Sequence, residues 1–189
     1  MVSFVAGEGG RIKRQLCALL WERNGFYAFE SALLVRPFDF LGQPLGVRQW
    51  NRLATWKSEF KLDLAGCVFF AEDAFGVQFC IQGESVYTFD PETGGFTPIA
   101  DGIPGWASWI LGDPDMNTGL PLAREWQAKN APLRRGYRLL PKIPFVTGGK
   151  YAVENLYAAK EEDGMRFRAS IANQLFGVSD GAEITFKVT

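Results

Sequence analysis

The residue types that most often do chemistry are thinly represented in this chain of 189 residues. There is no histidine, which removes Ser-His-Asp and Cys-His mechanisms, most zinc catalysis and the usual neutral-pH proton shuttle. Cys17, Cys67 and Cys80 stand too far apart for a Cys-x-x-Cys redox pair, and without histidine partners they point to no metal site. All three sit in apolar surroundings, as reduced thiols of a cytosolic core do. The glycine-rich stretches fail as phosphate cradles. Gly7-Glu8-Gly9-Gly10 does not follow a strand in the dinucleotide-binding pattern, and Thr147-Gly148-Gly149-Lys150 lacks the leading glycine and trailing Ser or Thr of a phosphate loop. Both read as backbone turns.

Carboxylates remain. A glycosidase needs two acids flanking one bond, and Glu72-Asp73, at the end of an apolar strand, is the best such pair. Neighbours at a strand end point in different directions, so the pair reads as a polar turn whose carboxylates accept backbone N–H groups. The chain is therefore read as non-enzymatic, with no metal and no cofactor. The acids matter more through their distribution. From Leu62 to Ala123 there is no Lys or Arg, while Asp63, Glu72, Asp73, Glu84, Asp90, Glu92, Asp101, Asp113 and Asp115 all fall there. Either this stretch interleaves with basic segments and the charges cancel, or it forms an acidic face that attracts a basic partner. Glu72, Asp73, Glu84, Asp90, Glu92 and Asp101 are the candidate partner-binding residues. The opposite cluster, Arg134, Arg135, Arg138 and Lys142 around Tyr137, reads as a solvated strand face, because a sequence pI near 5.6 suits no dedicated DNA or RNA binder.

The elements that position these groups follow from periodicity. Ile12, Leu16, Leu19 and Leu20 mark an amphipathic helix that Asn24-Gly25 ends. A strand over Ser31–Val35 is closed by Pro37, and a second helix is expected from Val47 to about Phe60, with Trp50, Leu53 and Ala54 on one face. Cys67 to Ala71 is a continuous apolar run, as in a strand covered on both faces. Phe75, Val77, Phe79 and Ile81 alternate with Gly76, Gln78, Cys80 and Gln82. Gly83-Glu84 suits a hairpin turn, and Asp90-Pro91-Glu92-Thr93-Gly94 is turn chemistry between two further strands, Val86–Asp90 and Phe96–Ile99. The result is an antiparallel meander. Pro104 opens a helix with Trp106, Trp109 and Ile110 on its apolar side, and Pro121 opens another. Residues 132–142 are expected to be extended, Glu154–Ala159 to form a helical turn, and Ser170–Phe176 a helix capped by Gly177. A last strand follows, with Ile184, Phe186 and Val188 alternating. With no linker, residues 1–189 read as one domain, 132–189 being a possible extension packed on the same core. No apolar run nears the roughly 20 residues of a membrane-spanning helix, and the first residues lack a secretory pattern, so the expected compartment is the cytoplasm.

The stretch FFAEDAFGVQFCI (Phe69 to Ile81), then YTFDPETGGF (Tyr87 to Phe96), then a helix containing Trp106 to Leu111, resembles the SUKH superfamily of bacterial immunity proteins. Asp73, Phe75 and Gly76 match the family's acidic turn and aromatic-Gly pair. NGFYAFESALLV upstream and PFVTGGKYAVENLYA downstream are similar to segments of related immunity proteins. The resemblance implies an α+β fold with a mostly antiparallel, mixed sheet flanked by helices. It implies a cytosolic protein that binds and neutralises a cognate polymorphic toxin, with no catalytic residues to carry over. The acidic stretch adds the expectation of a basic toxin such as a nuclease. The alternative is a protein-interaction scaffold or regulatory module without a toxin.

Overall fold

The computed structural model describes residues 10–40 and 42–177; the expected last strand at Ile184, Phe186 and Val188 lies outside them. Helix α1 (Arg11–Glu22) turns Ile12, Leu16 and Leu20 inward, as their spacing requires. Two short strands follow, β1 (Phe26–Ala28) and β2 (Leu33–Val35). They continue into the meander of β3 (Val68–Glu72), β4 (Gln78–Gln82), β5 (Ser85–Asp90) and β6 (Gly95–Ala100). The six strands form one sheet in sequence order, every neighbour antiparallel. With helices on both faces, the fold is α+β.

Register assigns the two faces, because side chains alternate across a strand. Tyr27 stands opposite Leu34, Leu34 opposite Glu72, Glu72 opposite Gln78, and Gln78 opposite Phe89. One face is wholly apolar: Leu33, Val35, Phe70, Ala71, Phe79, Ile81 and Val86 pack under α1 and under α3 (Ile103–Gly112), which contributes Ile103, Trp106 and Ile110. A register shift between Phe69 and Ala71, the signature of a bulge, lets Phe70 join this face while Phe69 faces the other way. On the second face Phe69, Cys80 and Phe89 meet Trp50, Trp56, Phe60 and a late helix.

The segment covering that second face departs from expectation. The helix expected over 47–60 is a single turn, α2 (Val47–Trp50), followed by a 3-10 turn at Lys57–Glu59. The Asn51 side chain ends α2 by donating to the carbonyls of Val47 and Phe69 while accepting the Phe69 N–H, so it clamps the segment to β3. Trp50, Trp56 and Phe60 are thereby turned into the core, whereas Leu53 is 57% exposed and Ala54 is exposed too.

After α3, Asp113 caps α4 (Pro114–Thr118) by accepting the Met116 N–H, and α5 (Leu120–Lys129) follows. A two-stranded sheet of β7 (Tyr137–Pro141) and β8 (Leu156–Lys160) packs with α5 around Ala74, Phe75, Leu120, Ala123 and Leu139. The expected helical turn at Glu154–Ala159 is instead a 3-10 turn, Val153–Asn155, leading into β8. Pairing with β7 overrides local preference there, as tertiary context commonly does. The final helix α6 (Glu161–Leu175) starts nine residues before the expected Ser170. Its first half buries Glu161, Gly164 and Arg168, so no apolar stripe advertised it. Cys17 is half-buried, Cys67 and Cys80 are buried, and all three are free thiols. No helix among the described residues is long and apolar enough to cross a membrane.

Candidate functional site

Two clusters of charge flank the strand ends of β3, and the six acids singled out in the sequence divide between them and a third place. The first cluster is internal. Arg36 follows β2 and sends Nη2 to Glu72 at 2.9 Å and Nη1 to Glu161 at 3.1 Å. Arg138 of β7 donates Nε to the other Glu72 oxygen at 2.7 Å. Gln78 donates to Glu72 at 2.7 Å and accepts the indole N–H of Trp50 at 2.9 Å. The Arg36 guanidinium lies over the Trp50 ring, 3.5 Å from its centroid. All four charged residues are buried. Burial alone would raise the Glu72 carboxyl, but Arg36, Arg138 and the Gln78 amide outweigh it and hold it down at about 2. Burial pushes Glu161 up in spite of Arg36.

This geometry corrects two readings. Glu72 is sealed inside and contributes nothing to a partner-facing rim. Arg138 is not on a solvated face; it is buried against Glu72, while Arg134 and Arg135 remain exposed. Here the acidic stretch and the basic segments do interleave. Glu72 and Asp73 are also parted: the first enters this network, the second caps the following turn within the next cluster.

The second cluster gathers Asp73, Asp90 and Glu92 at one corner. Asp73 closes the turn after β3, its Oδ1 accepting the N–H groups of Phe75 at 2.9 Å and Val77 at 2.8 Å. Gly76 completes that turn at φ +75°, where a Cβ would sit 2.5 Å from Arg168 Nη2, so glycine alone fits. Asp90 organises the β5–β6 turn by accepting the Glu92 N–H at 2.8 Å and the Thr93 hydroxyl at 2.9 Å. Glu92, only 4% exposed, accepts the Val146 N–H at 2.9 Å and so holds the 3-10 turn Phe145–Thr147 against the meander; like Glu72, it does not stand on a partner-facing rim.

Above these acids, Phe145 stacks on Tyr151 with centroids 3.9 Å apart and planes within 4°. Phe75 meets both rings edge-on. Tyr151 is 69% exposed, and Ile143 and Val146 are exposed beside it. Below lies Arg168, buried, donating to the Phe75 carbonyl at 2.5 Å and the Gly164 carbonyl at 3.2 Å. It makes no ion pair within 4.0 Å among the described residues, and burial lowers its pKa although Glu92 and Asp73 oppose that. One guanidinium thus faces several carboxylates without neutralising any by contact. Burial pushes half-buried Asp73 up to about 7 against its two N–H donors and Arg168. Burial likewise raises Glu92. The Tyr151 phenol is raised by burial and by Asp90, Glu92 and Asp73 together.

Glu84 and Asp101 lie elsewhere, exposed beside Arg11, whose guanidinium is 4.0 Å from Glu84 and donates to the Asp101 carbonyl at 2.6 Å. The sequence reading missed Phe145 and Tyr151. Two aromatic residues bracketing the Gly148-Gly149 turn were the available signal. No three His, Cys, Asp or Glu side chains among the described residues are grouped to hold a metal ion.

No protein-family model and no curated protein matches the chain. Among solved structures it is similar to the crystal structure of Atu4351 from Agrobacterium tumefaciens. The TM-score is 0.54 at 12% identity, covering 82% of this chain and 74% of that one. At that identity the likeness shows a shared fold.

Proposed function

We propose that this chain is a cytosolic immunity protein of the SUKH type, which binds a cognate bacterial toxin and blocks it by occlusion. The observation that supports the reading most is exposed Tyr151, stacked on half-buried Phe145 beside Asp73, Asp90 and Glu92. An exposed aromatic anchor beside acids that form no ion pair among the described residues is an ingredient of a protein-binding hot spot: the ring supplies affinity, and half-buried Asp90 helps to orient the encounter. A basic toxin, such as a nuclease, has the complementary charge.

The test is capture from a lysate of the source organism with wild-type and Tyr151→Ala baits, read by mass spectrometry, followed by co-expression with the captured protein. Recovery of a secreted, toxic protein encoded next door, whose toxicity this chain suppresses, is the expected result. Tyr151→Ala should lower recovery by about tenfold or more. Housekeeping partners alone would replace the immunity reading with the scaffold one. A toxin captured equally by both baits would move the contact away from this corner.

A further inference from the structure

A separate cleft of about 340 Å³ is lined by none of the acidic corner's residues, and its charged lining is of opposite sign. Arg23, Tyr27, Phe40, Gln43, Pro44 and Arg135 line it, and no Asp or Glu among the described residues does. Its walls are fixed by the chain's own bonds. Gly25, at φ +75°, brings the start of β1 so close to Pro37 that a Cβ would lie 2.5 Å from the proline nitrogen. Asn24 accepts the Phe38 N–H at 2.7 Å, and the Tyr27 hydroxyl oxygen accepts the Gly136 N–H at 3.1 Å.

The donors left over point to the ligand. Arg48 and Arg124 have carboxylate partners in Asp39 and Glu30. The guanidinium groups of exposed Arg23 and Arg135 have no ion-pair or hydrogen-bond partner among the described residues; that of Arg23 rests only against the Phe26 ring, 5.1 Å from its centroid. The Tyr27 hydroxyl proton likewise has no acceptor there. One wall runs from the bend at Arg23, Asn24 and Gly25 into Phe26 and Tyr27, the first two residues of β1. A cleft of this volume takes more than a single small anion. β1 is also one of the two edge strands of the sheet among the described residues, and an edge strand offers its unpaired N–H and C=O groups to an extended segment.

We propose that this cleft receives an extended, acidic segment of a protein partner, with an Asp or Glu carboxylate taken by Arg23, Arg135 and the Tyr27 hydroxyl. The proposal rests on the reading of the chain as a protein-binding domain, and its test needs no toxin. A blocked pentapeptide of alternating valine and glutamate is titrated into the full chain and followed by amide chemical shifts. Saturable shifts confined to the Arg23–Tyr27 wall and to Gly136 are expected. The glutamine counterpart should bind about tenfold more weakly, because charge-assisted bonds become neutral ones. The double substitution Arg23→Gln and Arg135→Gln should weaken the glutamate peptide by a similar factor, with the remaining spectrum unchanged. Equal binding of the glutamine peptide, or indifference to the double substitution, would overturn the proposal. So would inorganic phosphate saturating the same amides more tightly than the peptide, which would make this a phosphate site. Toxin capture that fails while the pentapeptide binds would remove the immunity reading and leave the cleft standing.

Discussion

The two faces of the six-stranded sheet are buried equally and held by different means. Under α1 and α3 the contacts are apolar throughout, and the indole N–H of Trp106 finds no acceptor among the described residues. On the other face, Trp50 donates to Gln78, Gln78 to Glu72, and Glu72 accepts from two arginines. Dispersion and hydrophobic burial are non-directional, so the first face is specified by volume and shape. The second is specified by partners, and a buried charge that loses its partner costs far more than the pair contributed. Similar burial therefore hides different tolerances.

Removing one member of the network should have the largest effect. Glu72→Ala strands Arg36 and Arg138 in the interior and should cost about 3–5 kcal/mol, read as a drop in the urea midpoint. Replacing Arg36, Glu72, Arg138 and Glu161 together with apolar residues of similar volume should recover most of that loss. If Glu72→Ala alone were nearly neutral, the contrast between faces would fail. Matched tryptophan substitutions sharpen it at smaller magnitude. Trp50→Phe deprives Gln78 of its donor and weakens the stacking of Arg36, so it should cost about 1–3 kcal/mol more than Trp106→Phe. Equal losses would mean that volume governs both faces.

Under changing pH, the adjacent acids Glu72 and Asp73 should show opposite signs. Glu72 is held at about 2, below its unfolded value of about 4.3, so its contribution is present above that value and lost as pH falls through 2. Asp73 is raised to about 7, so its contribution is complete below its unfolded value of about 3.9 and lost as pH rises through 7. Urea midpoints from pH 3 to 8 should therefore lose their neutral-side decline in Asp73→Asn and their acid-side decline in Glu72→Gln. The same slopes in variants and wild type would remove both assignments.

The meander was legible because its information is local. Alternation around Phe79 and Ile81, the Gly83-Glu84 hairpin and the Asp90–Gly94 turn each announce themselves within a few residues. Asp73, Asp90 and Glu92 were visible as acids free of neighbouring Lys or Arg, and turns at successive strand ends bring them together. What escaped is set by distant partners. Nothing near Glu72 marks it as internal, because its cations are at positions 36 and 138. The first half of α6 reads as solvent-facing since its buried side chains include Glu161 and Arg168, and a helix expected through residue 60 yields to the grip of Asn51 on β3. Tyr151 reaches the acidic corner only because Glu92 holds the 3-10 turn before it.

The Arg36–Glu161 bond closes a span of 125 residues. Closing so long a loop costs chain entropy that must be met before any contact repays it. The ions must also surrender their water only when all the partners are present. The network is therefore expected to form after the meander has collapsed, beyond the rate-limiting step of folding. Its loss in Glu72→Ala should fall on the unfolding limb of a stopped-flow chevron, with refolding nearly unchanged. In kinetic terms, these buried ions then set how long the chain stays folded once made.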